Sequence, residues 1–171
     1  MDLIKSRIRD VPDFPKPGII FKDITPVLSD PAAFERVIDL LVERHGGKGV
    51  EAVVGMESRG FIFGAPLALR MGLPFVPVRK VGKLPGDTEK VSYALEYGEA
   101  TIEIHRDALR PGQKVLVVDD LLATGGTAIA TLELIDRLGA ETTAIAFVIE
   151  LDFLEGRSKL PAGLVDSLIH Y

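Results

Sequence analysis

The chain has 171 residues, a formal net charge of −5 and 26% charged residues, which argues against the broad basic face that nucleic acid or an anionic membrane requires. Cysteine is absent, which excludes a disulfide framework and thiolate chemistry and suits a reducing compartment. The length predicts one globular domain with a well-covered core rather than two.

The opening MDLIKSRIRDVPDFP alternates charged and apolar residues and lacks the roughly 7–15-residue apolar run of a secretory signal. No stretch reaches the ~18–20 apolar residues of a membrane span. A soluble, cytoplasmic protein is the expectation. No internal repeat, low-complexity tract or dividing linker interrupts the chain, so residues 1–171 are expected to form a single domain.

An irregular segment is expected first. Residues 11–29 carry four of the 11 prolines, favouring extended or turning backbone over helix. A helix should then start with Asp30 as N-cap and Pro31 at its first position, with Phe34, Val37, Ile38 and Leu41 at helical spacing. His45-Gly46-Gly47 should end it. VEAVVG (50–55) reads as a buried strand, GFIFGAPLALRMG (60–72) as an apolar helix and PFVPVRK (74–80) as a second strand. The polar segment 81–92 is either a loop or a hairpin, and loops of that length are often functional.

ATIEIHRD alternates, with Ile102 and Ile104 expected inward and Glu103 and His105 outward. KVLVVDD (114–120) is the most apolar strand. GTAIATLELIDRLGA (126–140) reads as a helix with Ile129, Leu132, Ile135 and Leu138 as its stripe and Gly139 as its stop. TTAIAFVIEL (142–151) is a further buried strand. Strands alternating with helices, several of them continuous apolar runs, predict an α/β fold with a mainly parallel sheet flanked by helices. Ligands bind such sheets beyond the carboxyl ends of the strands.

One such end combines two opposed features. ATGGT (123–127) can turn successive N–H groups inward, and its threonines and the following helix add donors and partial positive charge, which together make an anion nest. Alone, a Gly-Gly-Thr turn is more often a plain strand–helix connection. Here Asp119 and Asp120 precede it. A carboxylate about 5 Å from a phosphate costs on the order of 3 kcal/mol at an effective dielectric near 20. Two acids make sense there if something nearby wants acceptors, as vicinal sugar hydroxyls do. A ribose 5-phosphate meets both demands, with its phosphate in the nest and its 2- and 3-hydroxyls on the acids. The rival nucleotide loops fail. Gly55–Gly60 is followed by Phe61 rather than Lys, and no G-x-G-x-x-G run occurs.

VLVVDDLLATGGTAIA (115–130) closely resembles the phosphoribosyl pyrophosphate (PRPP) motif of the type I phosphoribosyltransferases, most closely in their adenine-using branch. PDFPKPGIIFKDITPVL, GMESRGFIFGAPLA, PVRKVGKLPG and LEYG occur with it in the family's order, so the resemblance spans nearly the whole chain. It implies the type I phosphoribosyltransferase fold, with an N-terminal hood over about 1–30 and a flexible loop over about 80–97. It also implies transfer of a phosphoribosyl group from PRPP to adenine, giving AMP and pyrophosphate.

By the same resemblance, Asp119, Asp120, Ala123, Thr124, Gly125, Gly126 and Thr127 hold the ribose phosphate. Ser58, Arg59, Arg79, Lys80 and Lys83 take the pyrophosphate, through a loop often carrying a non-proline cis peptide, and Arg79 acts across a homodimer interface. Catalysis is assigned to Arg59, Asp119, Asp120 and Glu96, the last near the purine ring, with Tyr97 packing in the closed loop. Ile20, Phe21, Lys22 and Leu151 are implied at the adenine, Lys22 standing where arginine is also common. The three histidines, His45, His105 and His170, have no ligand spacing, so Mg²⁺ is expected on the diphosphate rather than in a protein cage. Two alternatives stay open: transfer to another base such as hypoxanthine or guanine, and a non-catalytic PRPP sensor that binds nucleic acid. The net charge of −5 and the retained ESRG and LEYG loops weigh against the second.

Overall fold

The computed structural model describes residues 1–94 and 98–171. Its backbone divides into two compact units, Met1–Leu40 and Leu41–Tyr171, with the boundary inside one helix.

The N-terminal unit is more regular than its prolines suggest. Helix α1 (Asp2–Arg7) leads into strand β1 (Arg9–Pro12), which pairs antiparallel with β2 (Ile20–Asp23). Residues Thr25–Ser29 wind into a short helix, α2, where extended backbone was expected. Pro26 sits in its first turn, where an amide hydrogen has no helical partner to lose. Asp23 Oδ1 accepts from the Thr25 amide at 2.9 Å and from its hydroxyl at 2.6 Å. Helix α3 (Pro31–His45) follows as its pattern predicts. Asp30 Oδ1 caps it, accepting from the amides of Ala32 and Ala33 at 3.1 and 3.2 Å.

The C-terminal unit is a seven-stranded sheet. Its strands are β3 (Ala52–Met56), β4 (Phe75–Lys80), β5 (Thr88–Ala94), β6 (Glu99–His105), β7 (Lys114–Leu122), β8 (Glu141–Glu150) and β9 (Val165–His170), in the spatial order β5-β6-β4-β3-β7-β8-β9. From β4 to β9 every pairing is parallel, while β5 and β6 add an antiparallel edge. Helices α4 (Gly60–Met71) and α5 (Gly126–Arg137) cross over between parallel strands. The mainly parallel α/β architecture is therefore the observed one. The ambiguous segment 81–92 is a turn followed by most of β5. Strand β9 closes the other edge, in a stretch whose pattern predicted nothing.

Two orientations differ from the sequence pattern. Glu103 is buried, 1% exposed, not outward. On β6 it lies between its partners Arg79 on β4 and Lys90 on β5. The 81–87 turn folds onto its carboxylate, so a hydrogen-bonded acid occupies what alternation reads as a solvent face. Ile129 is 39% exposed, whereas Ala128, Thr131, Leu134 and Ile135 are buried. Small residues face the sheet at the start of α5, and the larger ones take over only in its last turns.

Candidate active site

Strands β3 and β7 are parallel neighbours, with Val53 opposite Leu116 and Gly55 opposite Val118. The loops that leave their carboxyl ends, 57–59 and 123–125, therefore lie side by side. Strand β4, parallel to β3 on its other side, brings Arg79 and Lys80 to the same end. Two loops and the end of β4 thus converge where open α/β sheets bind their ligands.

The two acids sit at the end of β7 in different environments. Asp120 is 5% exposed and its Oδ2 accepts from Arg59 Nε at 2.5 Å. Asp119 is half-buried, and its Oδ1 accepts from the Asp120 amide at 2.9 Å. Burial, and then the neighbouring Asp120 charge, push the Asp119 carboxyl well above the usual carboxylate range. Helix α4 begins directly against this acid. A Cβ on Gly60 would lie 2.7 Å from the Val118 carbonyl oxygen and 2.9 Å from Asp119 Oδ1, so only glycine allows the approach.

Beyond the acids, Gly125 takes the left-handed conformation at φ +82° and caps α5. A cleft of about 710 Å³ opens here, lined by Asp119, the 123–127 turn, Tyr93 and Lys159, with Met56 and Phe147 among its apolar walls. The Tyr93 and Thr127 hydroxyls are hydrogen-bonded at 2.9 Å. Lys159 Nζ donates to the Thr124 carbonyl at 3.2 Å.

A second cleft, about 330 Å³, is lined by Ser58, Arg59, Lys80, Asp120 and Glu57, and shares Asp119, Leu121 and Thr127 with the first. The Glu57–Ser58 peptide is cis. Glu57 Oε2 accepts from Arg79 Nε at 3.1 Å and from the Lys80 amide at 3.0 Å. Burial would raise this carboxyl, but the Lys80 amide and the Arg79 guanidinium outweigh it and hold it below its usual value. Glu103 does the same for the next turn. It accepts from the Lys83 and Leu84 amides at 3.0 Å each and from the Thr88 hydroxyl at 3.1 Å. The basic strip 79–83 is therefore held from beneath by two acids.

Comparison with known proteins agrees with this geometry. The phosphoribosyl transferase domain family matches residues 24–161. Adenine phosphoribosyltransferase of Carboxydothermus hydrogenoformans is 59% identical over 171 residues, covering all of both chains. The chain belongs to the adenine phosphoribosyltransferase family. The crystal structure of the Thermoanaerobacter pseudethanolicus enzyme superposes with a TM-score of 0.96 at 52% identity, covering 99% of each chain. The Saccharomyces cerevisiae enzyme, complexed with D-2,5-dideoxy-2,5-imino-altritol 1,6-bisphosphate and adenine, superposes with a TM-score of 0.93 at 45% identity, covering 98% of this chain and 97% of its own.

Of the residues that the family resemblance singled out, the structure brings together Ser58, Arg59, Lys80, Asp119, Asp120 and the 123–127 turn. Arg79 adjoins them through Glu57, and Lys83 lies one turn away with its side chain exposed. Leu151 follows β8, its amide donating to the Leu122 carbonyl at 3.0 Å, and lines neither cleft. Ile20, Phe21 and Lys22 lie on β2 of the N-terminal unit. There Ile20 is 55% exposed, Phe21 packs edge-on against Phe14 with ring centroids 5.3 Å apart, and Lys22 Nζ donates to Asp10 at 2.7 Å. Glu96 and Tyr97 lie outside the described residues.

Sequence reasoning missed Glu57, Tyr93, Glu103 and Lys159. Tyr93 and Glu103 lie on strands whose pattern showed only alternation. Glu57 stands inside the ESRG loop, yet its carboxylate accepts from Arg79 and the Lys80 amide of the basic strip. Lys159 falls in a C-terminal stretch without periodicity, and no local signal marks it.

Proposed function

We infer that this chain is a purine-salvage glycosyltransferase that joins adenine N9 to C1 of PRPP. As the N9–C1 bond forms, adenine gives up its N9 proton and the C1–O bond to pyrophosphate breaks, leaving AMP and pyrophosphate. One observation carries the reading: two adjoining clefts, one holding the 123–127 turn and the other Ser58, Arg59 and Lys80, share Asp119, Leu121 and Thr127. One ligand with a phosphate at one end, a diol in the middle and a diphosphate at the other fits that plan. The 5-phosphate takes the nest at 123–127, the 2- and 3-hydroxyls donate to Asp119 and Asp120, and the diphosphate meets Ser58, Arg59 and Lys80.

Positive charge develops on the sugar as the leaving group departs, and the acids beside C1 favour that charge more than they favour the neutral ring. Arg59 and Lys80, with Arg79 and Lys83 from the adjoining strip, stabilise the departing pyrophosphate. Contacts to the purine are assigned by resemblance to Ile20, Phe21, Lys22 and Leu151. Glu96 is assigned to proton handling at the ring, and Tyr97 to the closed loop.

Mg²⁺ belongs to the same proposal. The carboxylates nearest the diphosphate cleft are already engaged: Asp120 by Arg59, and Glu57 by Arg79 and the Lys80 amide. That donor set fits a cation carried on PRPP oxygens better than an all-protein octahedral cage. When bound, the ion neutralises charge on the diphosphate.

A homodimer is also proposed. Ile62 and Leu69, seven residues apart on one face of α4, are 37% and 83% exposed. A second copy covering that face would explain them, and gel filtration tests it. A cytoplasmic location completes the reading; no helix among the described residues is long and apolar enough to cross a membrane.

The deciding experiment supplies adenine, PRPP and Mg²⁺, with hypoxanthine and guanine in parallel. AMP formation from adenine alone is the expected result. Turnover of hypoxanthine or guanine instead would assign a different base.

A further inference from the structure

The nest at 123–127 offers neutral donors to a ligand group that carries about two negative charges. It does so beside Asp119, which lines the same cleft. The cations Arg59 and Lys80 line the other cleft. Among the described residues lining the larger cleft, Lys159 is the one cation. Its ammonium lies on the nest itself, 3.2 Å from the Thr124 carbonyl oxygen. A lysine has three donors, so that contact leaves two for a ligand.

The turn carrying Lys159 is built against the loop. Gly156 opens the 3₁₀ turn Gly156–Lys159 and is pressed onto the back of the nest. A Cβ there would fall 2.1 Å from the Ala123 carbonyl oxygen, and a Cβ on Gly125 would fall 2.9 Å from the Gly156 carbonyl oxygen. Neither position tolerates a side chain, so the two segments keep backbone contact.

Arg157 anchors the turn. Its Nε donates to Glu150 Oε1 at 2.8 Å, its Nη2 donates to Glu150 Oε2, and its Nη1 donates to the Val165 carbonyl at 2.8 Å. Glu150 is buried at the end of β8 and also accepts from Ser167 Oγ on β9 at 2.6 Å. This fixed base holds a long, exposed side chain at the mouth of one cleft.

We propose that Lys159 is a phosphate-binding residue for the sugar 5-phosphate, supplying the charge that the neutral nest lacks and offsetting Asp119. The proposal rests on the reading of 123–127 as the 5-phosphate site. It predicts a pattern across the four substrates of the reversible reaction. PRPP and AMP carry a 5-phosphate; adenine and pyrophosphate do not.

The test uses Lys159→Met, which keeps the stem and removes the charge, with Lys159→Arg beside it. Initial rates in both directions give four Michaelis constants. Lys159→Met is expected to raise those for PRPP and AMP about tenfold, as for one charged hydrogen bond. Adenine and pyrophosphate should stay within about twofold, and Lys159→Arg should recover most of the loss.

Unchanged constants for PRPP and AMP in an active Lys159→Met enzyme would overturn the proposal. So would a rise in all four constants with a lowered unfolding midpoint, since that marks distortion of the loop. If the unmodified protein makes no AMP, the transferase reading fails separately. Titration with ribose 5-phosphate then decides the lysine by itself: weaker binding to Lys159→Met supports it, and equal binding overturns it.

Discussion

Several acids gather near the carboxyl ends of β3, β4 and β7, and the fold treats Glu57 and Glu103 in the opposite way to Asp119. Glu57 and Glu103 are enclosed by donors, and both are held below their usual carboxylate range although burial opposes it. Asp119 is pushed above that range by burial and by Asp120. The first pair stabilises backbone that must be in place before any ligand arrives. Asp119 keeps an unfavourable charge beside Asp120, an arrangement that the hydroxyls of the proposed ribose phosphate would relieve. Surroundings therefore separate Glu57 from Asp119 more sharply than exposure does, since both are half-buried.

The most severe way to break this contrast is to neutralise the site acids together. Asp119→Asn with Asp120→Asn should lower kcat by about 10²–10³-fold, the scale of losing preorganised charge at a developing cation. The circular dichroism spectrum and cooperative unfolding should persist, because no core contact is removed. Near wild-type kinetics would mean that these acids do not serve the reaction.

Removing a scaffold acid should do the reverse. Glu103→Ala strands the Lys83 and Leu84 amides and the Thr88 hydroxyl, and should cost about 2 kcal/mol in urea unfolding at pH 7. The sign with pH follows from its depressed pKa. The contribution of Glu103 is fully present above its unfolded value, near 4.5, and is lost as pH falls through the lower folded value. Wild type and Glu103→Gln should therefore draw together in stability as pH falls below about 4.5. In kinetics, Glu103→Ala should weaken pyrophosphate and PRPP more than adenine, because the turn it holds carries Lys83.

These differences mark what was legible in the sequence. The α/β alternation, the cap at Asp30 and the Asp119–Thr127 candidate site could be read because each depends on neighbours in the chain. Asp30 bonds amides two and three residues away, and the acids and the nest are contiguous. Glu103 was misread because period-two alternation takes one face of a strand as solvated, and it cannot see a turn folding back onto that face. Ile129 was misread because Ala128 and Thr131 carry little hydrophobic weight while taking the places closest to the sheet. Lys159 meets Thr124 across 35 residues, a distance over which no periodic pattern reaches. The short helix Thr25–Ser29 was hidden by proline, whose position within a first turn decides whether it breaks a helix or starts one.

The smallest expected effect is the most diagnostic, because it asks the site to gain stability as it loses function. Asp119 has a folded pKa above its unfolded one, so between those values the native state binds more protons than the unfolded chain. Stability contributed by this residue is then complete below the unfolded value of about 3.8 and declines as pH rises through the folded value. Asp119→Asn alone removes that titration and the repulsion of Asp120, while keeping an oxygen to accept the Asp120 amide. The variant should be about 1 kcal/mol more stable than wild type at pH 7.5, in the range typical of relieving a functional strain. The gain should shrink to nothing near pH 4, as followed by urea midpoints at the two pH values. It should also shrink when ribose 5-phosphate is added, because the sugar's hydroxyls favour the carboxylate and stabilise wild type by mass action. A variant less stable than wild type at pH 7.5 would place Asp119 with Glu57 and Glu103, as a scaffold acid, and erase the distinction between the two groups.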